Sequence, residues 1–536
     1  MPRFLEMAAV ERIDNCFKGE CMEKKYHEFM DEISADELYE GLLAYGLFAD
    51  KIPPVFTSIP FFNYCKNLKK PFGKGQNDYV TFRVMRNTGV PRLMGIPTPM
   101  RYQYLCEILR DNWDTLKEYF QEQTEIQEYR VSRIHIRKKY DEKCIFNMTY
   151  KNWMVDGNPE FDLLITDQGA SRFLVKADIS TCFPSIYTHS IPWAIVGKET
   201  AKKESNSNTW YNTLDKACYD MRYGETHGLI IGPHASNLVS EIILTKVDKE
   251  LYEKGYRYIR NIDDYDCFVA TCDEANRFLS DLEEELRKYD LPLNHKKTRI
   301  IELPVNAEKN WKHQLSDIPV VGNSGFVEYP QVNHFIDVAL SLAVENKDYA
   351  IMNYAIKKLS GMNLSENGKK LATKRFLHMA VLHPYLLHLM EDYVFLPFKV
   401  EKNDIKELAD TAVKEALKIN DYEGFCYAIY FAIRFDFELD WLSNNIEESM
   451  EYICQKKDCL LLIFAWLYFL KQNHWNKRAT QVKKFKSIAE NIFHSEDMDR
   501  YWLFCYEILT TDILEDDWNV IKKAKVSFIK PEFMGN

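Results

Sequence analysis

The residues of this chain best suited to chemistry are three aspartates. Asp263 and Asp264 stand side by side in Asn261-Ile262-Asp263-Asp264-Tyr265, between the apolar runs Tyr258-Ile259 and Cys267-Phe268-Val269. Two adjacent carboxylates at a hairpin tip repel one another unless positive charge neutralises them. Asp178 closes another apolar run, Leu174-Val175-Lys176-Ala177-Asp178. An acid at the end of each of two strands can bring three carboxylates to one point, the hard-oxygen environment that Mg2+ takes. Two such ions about 4 Å apart activate an attacking hydroxyl and stabilise a leaving pyrophosphate. Between the acids lies Gly228-Leu229-Ile230-Ile231-Gly232-Pro233-His234-Ala235-Ser236-Asn237. Its glycines let a nucleotide or base pair approach the backbone closely, ahead of a helix predicted to begin near Leu238. Further on, Leu291-Pro292-Leu293-Asn294-His295-Lys296-Lys297-Thr298 offers a lysine to a triphosphate.

These groups need a mixed α/β scaffold. Phe173 to Asp178 reads as a short buried strand, Leu238 to Leu251 as a helix, and Tyr258 to Ala270 as two strands meeting at the acidic turn. Asp273 to Tyr289 reads as an amphipathic helix with Phe278, Leu282 and Leu286 on one stripe. Four segments follow from the pattern. Residues 1–65 are short helices broken at Pro53-Pro54 and Pro60. Residues 66–145 are locally basic, with Lys69, Lys70, Lys74, Arg83, Arg86, Arg92, Arg101, Arg110, Arg130, Arg133, Arg137 and Lys138. Residues 146–325 hold the mixed region. In residues 326–536 the strand signals fade. There Ile405, Leu408, Ala409, Ala412 and Ala416 form one helical stripe, and Ile463, Trp466, Leu467 and Leu470 another, with breaks at Gly361, Pro384, Pro397, Asn420 and around Asn473. Helix pairs recur about every forty residues, as in helical-repeat solenoids.

A chain of 536 residues, 46% hydrophobic and 28% charged, has material for several compact cores and is not disordered. Its net charge of −11 excludes a protein whose whole surface grips nucleic acid, and leaves room for a local basic cleft. The thirteen cysteines are scattered, with 16/21, 267/272 and 454/459 as the nearest pairs, and read as reduced thiols without zinc-finger spacing. Glu6, Glu11 and Arg12 interrupt what would be the apolar part of a signal peptide. The longest apolar run, Cys459 to Leu470, is well short of the roughly 20 residues that cross a bilayer. The expectation is a cytoplasmic protein with no membrane partner.

Order and spacing are more specific than any single piece. An Asp with an aromatic residue five positions on, then G-x-x-x-G-P-x-x-S-N, then an Asp-Asp hairpin, then N-x-K-K-T, resembles motifs A, B, C and D of the reverse transcriptase palm, over about residues 80–305. Arg92-Leu93-Met94-Gly95-Ile96-Pro97 looks like the fingers motif that precedes motif A in bacterial members. Ser185-Ile186-Tyr187-Thr188-His189-Ser190-Ile191-Pro192-Trp193 resembles in particular the bacterial anti-phage enzymes of the abortive-infection and "unknown group" families. Several of those carry a helical-repeat domain.

The resemblance implies an α+β right-hand polymerase, with fingers over 66–145 and palm over 146–325, followed by an all-α, HEAT-like repeat domain. It implies that Asp178, Asp263 and Asp264 are catalytic and hold two Mg2+ ions, with Mn2+ as a substitute. Phe183 would be the steric gate against a ribose 2′-hydroxyl. Gly232 and Ser236 would line the primer–template or nucleotide side, Lys296 or Lys297 would be the motif D lysine, and Arg92 would approach the triphosphate. His189 and Trp193 read as packing residues. Two departures stand out: Asn261 occupies a position usually Tyr or Phe, and Ile230-Ile231 replace a frequent Pro-Gln.

The implied function is anti-phage DNA synthesis from dNTPs. Synthesis would need no template and would start on a tyrosine hydroxyl, leaving the DNA product attached to the protein. Thirty-two tyrosines leave the priming residue open. The alternatives are a templated enzyme copying a partner non-coding RNA, and a degenerate palm serving as scaffold or phage sensor. A homo-oligomer, or a second reverse transcriptase as partner, is also implied.

Overall fold

The structure is a computed structural model. It describes residues 25–535 apart from positions 50, 69–71, 73–74, 88, 137–145, 148–162, 167–168, 305–309, 317, 319–320 and 322–324. Lys69, Lys70, Lys74, Arg137, Lys138 and the Cys16/Cys21 pair lie outside the described residues.

Period-two alternation builds the sheet that matters. Strands β1 (Tyr79–Val84) and β2 (Arg92–Pro97) form an antiparallel ribbon. Two short ladders follow, β3 (His135–Ile136) with β4 (Phe146–Asn147) and β5 (Ile165–Thr166) with β6 (Gly169–Ala170). Strands β7 (Phe173–Asp178), β8 (Arg257–Asn261), β9 (Asp264–Val269) and β10 (Arg299–Glu302) make a four-stranded antiparallel sheet in the order β10-β7-β9-β8. Val175, Ala177, Tyr258, Tyr265 and Cys267 turn one face into the main core. The other face changes character along its length. Leu174, Ile259 and Phe268 join Leu163 in a small apolar cluster, Lys176 then pairs with Asp266 at 2.7 Å, and Asp178 faces Asp264 at the end.

Helices Cys272–Arg287 and His234–Glu253 back the sheet, the first entered through a Thr271/Glu274 capping box. The second starts four residues before the expected Leu238, because Pro233 holds the extended conformation of an N-cap. Pro60 does not break a helix. It sits in the first turn of Ile59–Cys65, where its missing N–H would have had no partner. Pro397 likewise lies inside the helical stretch that follows the π-turn Glu391–Phe395.

From Tyr329 onward the described elements are helices. In Lys402–Ile419 the stripe Ile405, Leu408, Ala409, Ala412 and Ala416 is buried. Helix Cys459–Gln472 differs from its expected one-sided stripe: every residue from Cys459 to Leu470 is buried, so it runs through the core. No helix among the described residues is long and apolar enough to cross a membrane. The ten described cysteines are free thiols.

One continuous apolar cluster runs from Tyr26 to Phe533. The late residues return to the early ones. Phe56 bridges Ile529, Thr57 N–H donates to Phe528 O at 2.8 Å, and Lys530 N–H donates to Val55 O at 2.9 Å. Trp502 Nε1 donates to Ile96 O at 3.2 Å, Asn77 Nδ2 to Asp499 at 2.9 Å, and Met85 N–H to the Glu423 carboxylate.

Candidate active site

Register brings the acids together. Asp178 on β7 lies directly opposite Asp264 on β9, so both side chains stand on one face of the sheet. Asp263 occupies the two-residue turn between β8 and β9, and its carbonyl accepts Ile179 N–H at 2.9 Å. The other turn residue, Ile262, has φ +58°. Two-residue hairpins require positive φ and normally use Gly, Asn or Asp. A β-branched residue there costs about 1–2 kcal/mol.

A buried cation holds this turn. Arg260 is fully buried, and its Nη1 donates to Ile262 O at 2.9 Å. The guanidinium also meets Glu241 Oε1 and Asp248 Oδ2, each at 2.7 Å. Glu241 accepts from the Tyr26 hydroxyl at 2.8 Å and from Ser132 Oγ at 2.9 Å, and Asp248 accepts from the Tyr258 hydroxyl at 3.0 Å. Every charge in the group is therefore paired and hydrogen-bonded, the condition for keeping charges away from water. Sequence reasoning missed this network. The sequence does not single it out: Glu241 and Asp248 share their helix with Lys246, Lys249, Glu250 and Glu253, and Arg260 is one of the arginines in a short strand.

The loop after Cys272–Arg287 closes the acidic face. Ser180 N–H donates to Pro292 O at 2.8 Å and Asn294 N–H to Asp178 O at 2.7 Å. The Asp178 carboxylate, 4% exposed, accepts from Asn294 Nδ2 at 2.7 Å and from Lys297 Nζ at 2.6 Å. Of the two candidate lysines, the structure places Lys297 on the acids, whereas Lys296 is exposed. The bond to Asp178 raises the Lys297 pKa. Burial, the charge of Asp263 and the nearness of Asp178 push the Asp264 carboxyl up to about 7. Burial and then Asp178 raise Asp263, while Lys297 and Arg92 oppose the rise. Arg92, at the start of β2, acts on Asp263 through its charge and forms no ion pair among the described residues.

The donor chemistry fits a hard divalent cation, because the carboxylates of Asp178, Asp263 and Asp264 act on one another and carry more negative charge than Lys297 neutralises. Both oxygens of Asp178 are held by Asn294 and Lys297, and among the described residues no three acid, His or Cys side chains stand ready as a metal cage.

The remaining expected residues shape the surroundings. Phe183 is half-buried in the short helix Cys182–Ser185, and its carbonyl accepts Leu229 N–H at 2.8 Å, tying the glycine loop to the Asp178 strand. Gly232 has φ +133°, and a Cβ there would lie 2.9 Å from Gly95 O. Gly95 N–H in turn donates to Ile231 O at 2.9 Å, so β2 clasps the loop. Ser236 does not line an open surface. It is buried, and its hydroxyl closes the loop on Ile230 O at 2.7 Å. His189 and Trp193 pack as expected, Trp193 against the main core and His189 edge to face with Tyr187 and Tyr219, and both also line a cavity separate from the acids.

Residues 124–316 match the reverse transcriptase (RNA-dependent DNA polymerase) family. No curated protein matches the sequence. Among solved structures, the chain is similar to apo telomerase from Candida tropicalis lacking its C-terminal domain, at 16% identity and TM-score 0.30 over 46% of this chain and 54% of that one. It is also similar to Candida tropicalis telomerase in complex with a fragment of telomeric RNA, at 13% identity and TM-score 0.31 over 80% of this chain and 66% of that one. The chain thus spans about half to two thirds of the length of these two proteins. The matched residues 124–316 are those in which Asp178 and Asp264 stand opposite one another across β7 and β9, with Asp263 in the adjoining turn.

Proposed function

We propose that the protein is a magnesium-dependent DNA polymerase that makes DNA from dNTPs without a template, starting on one of its own tyrosines, in defence against phage. The observation that carries the catalytic part is the cross-strand pair Asp178/Asp264 with Asp263 at the adjoining turn and Lys297 against them. Asp178, Asp263 and Asp264 would hold two Mg2+ ions, which when bound activate a hydroxyl nucleophile and stabilise the departing pyrophosphate. Lys297 lies on an exposed loop and can exchange Asp178 for a triphosphate oxygen, bringing positive charge to the leaving group. Arg92 adds charge from the other side, and the ring of Phe183 excludes a 2′-hydroxyl.

Untemplated synthesis is favoured by the glycine loop. Ile230 is buried and the Ile231 carbonyl is bonded to β2, so the loop offers a templating base no side-chain amide. The defence role rests on the likeness of Ser185–Trp193 to the anti-phage enzymes, and residues 326–536 would act as a helical-repeat module.

Purified protein given labelled dNTPs and Mg2+ should build DNA that stays attached to the chain, as read by mass spectrometry. The product should survive prior removal of RNA by nuclease, and disappear with EDTA or in Asp263→Asn. Absence of incorporation under any primer condition, or incorporation unchanged in Asp263→Asn, overturns the catalytic assignment. Loss of product on RNA removal would assign the protein to templated copying of a partner RNA. Phage protection that persists in Asp178→Asn would assign it to a scaffold role.

A further inference from the structure

A cavity of about 430 Å3 lies between helices Ser190–Val196, Lys198–Lys203 and Trp210–Asp220, and shares no residue with the acidic cluster. Its volume is that of a small-molecule site. Aromatic rings form part of its wall: Tyr187 and Trp193 meet edge to face at 5.6 Å, and Tyr219 lies 5.9 Å from His189. Lys198 covers one face of Trp193 at 3.9 Å.

The wall carries His189, Lys202 and Lys216 as groups that can donate to an anion, beside the acids Asp215 and Asp220. His189 Nδ1 lies 2.5 Å from Asp215 Oδ2, and Asp215 is 7% exposed. This contact makes Nδ1 the donor and fixes the ring, leaving Nε2 as the free ring nitrogen. The bond to Asp215 also raises the His189 pKa, which favours the doubly protonated ring that donates from Nε2. Lys202 is exposed and has no ion pair among the described residues, and Lys216 pairs with Asp220 at 2.9 Å. Ser207, a hydroxyl of the wall, is turned to Glu204 O at 2.6 Å. No described hydrogen bond joins His189 to a Ser or Cys nucleophile, so the pair is built to bind rather than to attack.

Rings that accept a flat heterocycle and cations that accept a phosphate, in one cavity, match a single chemical unit. We propose that this cavity binds a nucleotide, its base against Tyr187 and Trp193 and its phosphate on His189, Lys202 and Lys216, at a site separate from the polymerase centre. The nucleotide can be free or part of a single strand.

The test is equilibrium dialysis of the full chain, in EDTA, against dAMP and against a short 5′-phosphorylated oligodeoxyadenylate. Saturable one-to-one binding is expected, about tenfold weaker in His189→Ala and about threefold weaker in Lys202→Ala, and unchanged in Asp263→Asn. Inorganic phosphate should compete. Tighter binding of the oligonucleotide identifies a strand as the source, and equal binding a free nucleotide. Lys202 is exposed, so its variant reads the site without a folding defect. No saturable binding of either probe, binding unchanged in both variants, or binding lost in Asp263→Asn overturns the proposal.

Discussion

Lys296 and Lys297 are neighbours with different surroundings. Lys297 bonds the buried Asp178, and Lys296 points to water. Lys297→Ala should therefore reduce incorporation about a hundredfold. Because Lys297 is 59% exposed, its loss should cost less than about 1 kcal/mol of stability. Lys296→Ala should leave both incorporation and thermal midpoint as they are, and steady-state kinetics beside thermal melts of the two variants check the pair. The two lysines could not be told apart in the sequence, because side chains in an irregular loop follow no period that fixes their direction. The three acids were legible because repelling charges between apolar runs need an explanation. Arg260 was not, since its acidic partners lie far back on a helix and only the fold shows that all three are buried.

At the scale of the element, the acidic hairpin is a strained turn on a charged anchor. Arg260→Met should leave Glu241 and Asp248 buried without a counter-charge, lower stability by about 3–5 kcal/mol, and abolish incorporation. Ile262→Gly should act the other way on stability. It removes the positive-φ penalty at a half-buried position and should raise the thermal midpoint, while a looser turn lowers the incorporation rate. Denaturant melts and single-turnover incorporation separate the two effects. Strands β7, β8 and β9 were legible as short apolar runs ending at acids, and the helix after the glycine loop as a helical stretch from Leu238 to Leu251. Pro60 and Pro397 misled because proline marks a helix start as readily as a stop. Cys459–Gln472 shows no stripe because its whole circumference meets other elements, so periodicity had no polar side from which to register.

At the scale of the molecule, the helical region is packed onto the β1–β2 ribbon. Glu423 sits at that contact, accepting Met85 N–H, and burial pushes its pKa up to about 8 from a usual value of 4.5. The unfolded chain loses this proton near 4.5 and the folded chain only near 8, so between those values the folded state holds the extra proton and stability falls as pH rises. Glu423→Gln keeps an oxygen for Met85 and removes the charge. Its thermal midpoint should match the parent near about pH 5 and exceed it near about pH 9. The change from mixed to helical pattern near residue 326 was visible in composition. The return of the last helices to the first was not, because contacts across hundreds of residues leave no local period. That return governs how the protein comes into being. The β-bridge between Phe56 and Ile529 joins two segments separated by more than four hundred residues of sequence. Domains that fold as they are made complete themselves from the front. Here Phe56 can close its bridge only after the residues up to Ile529 have been made, so this part of the fold is completed behind the chain that separates the two segments.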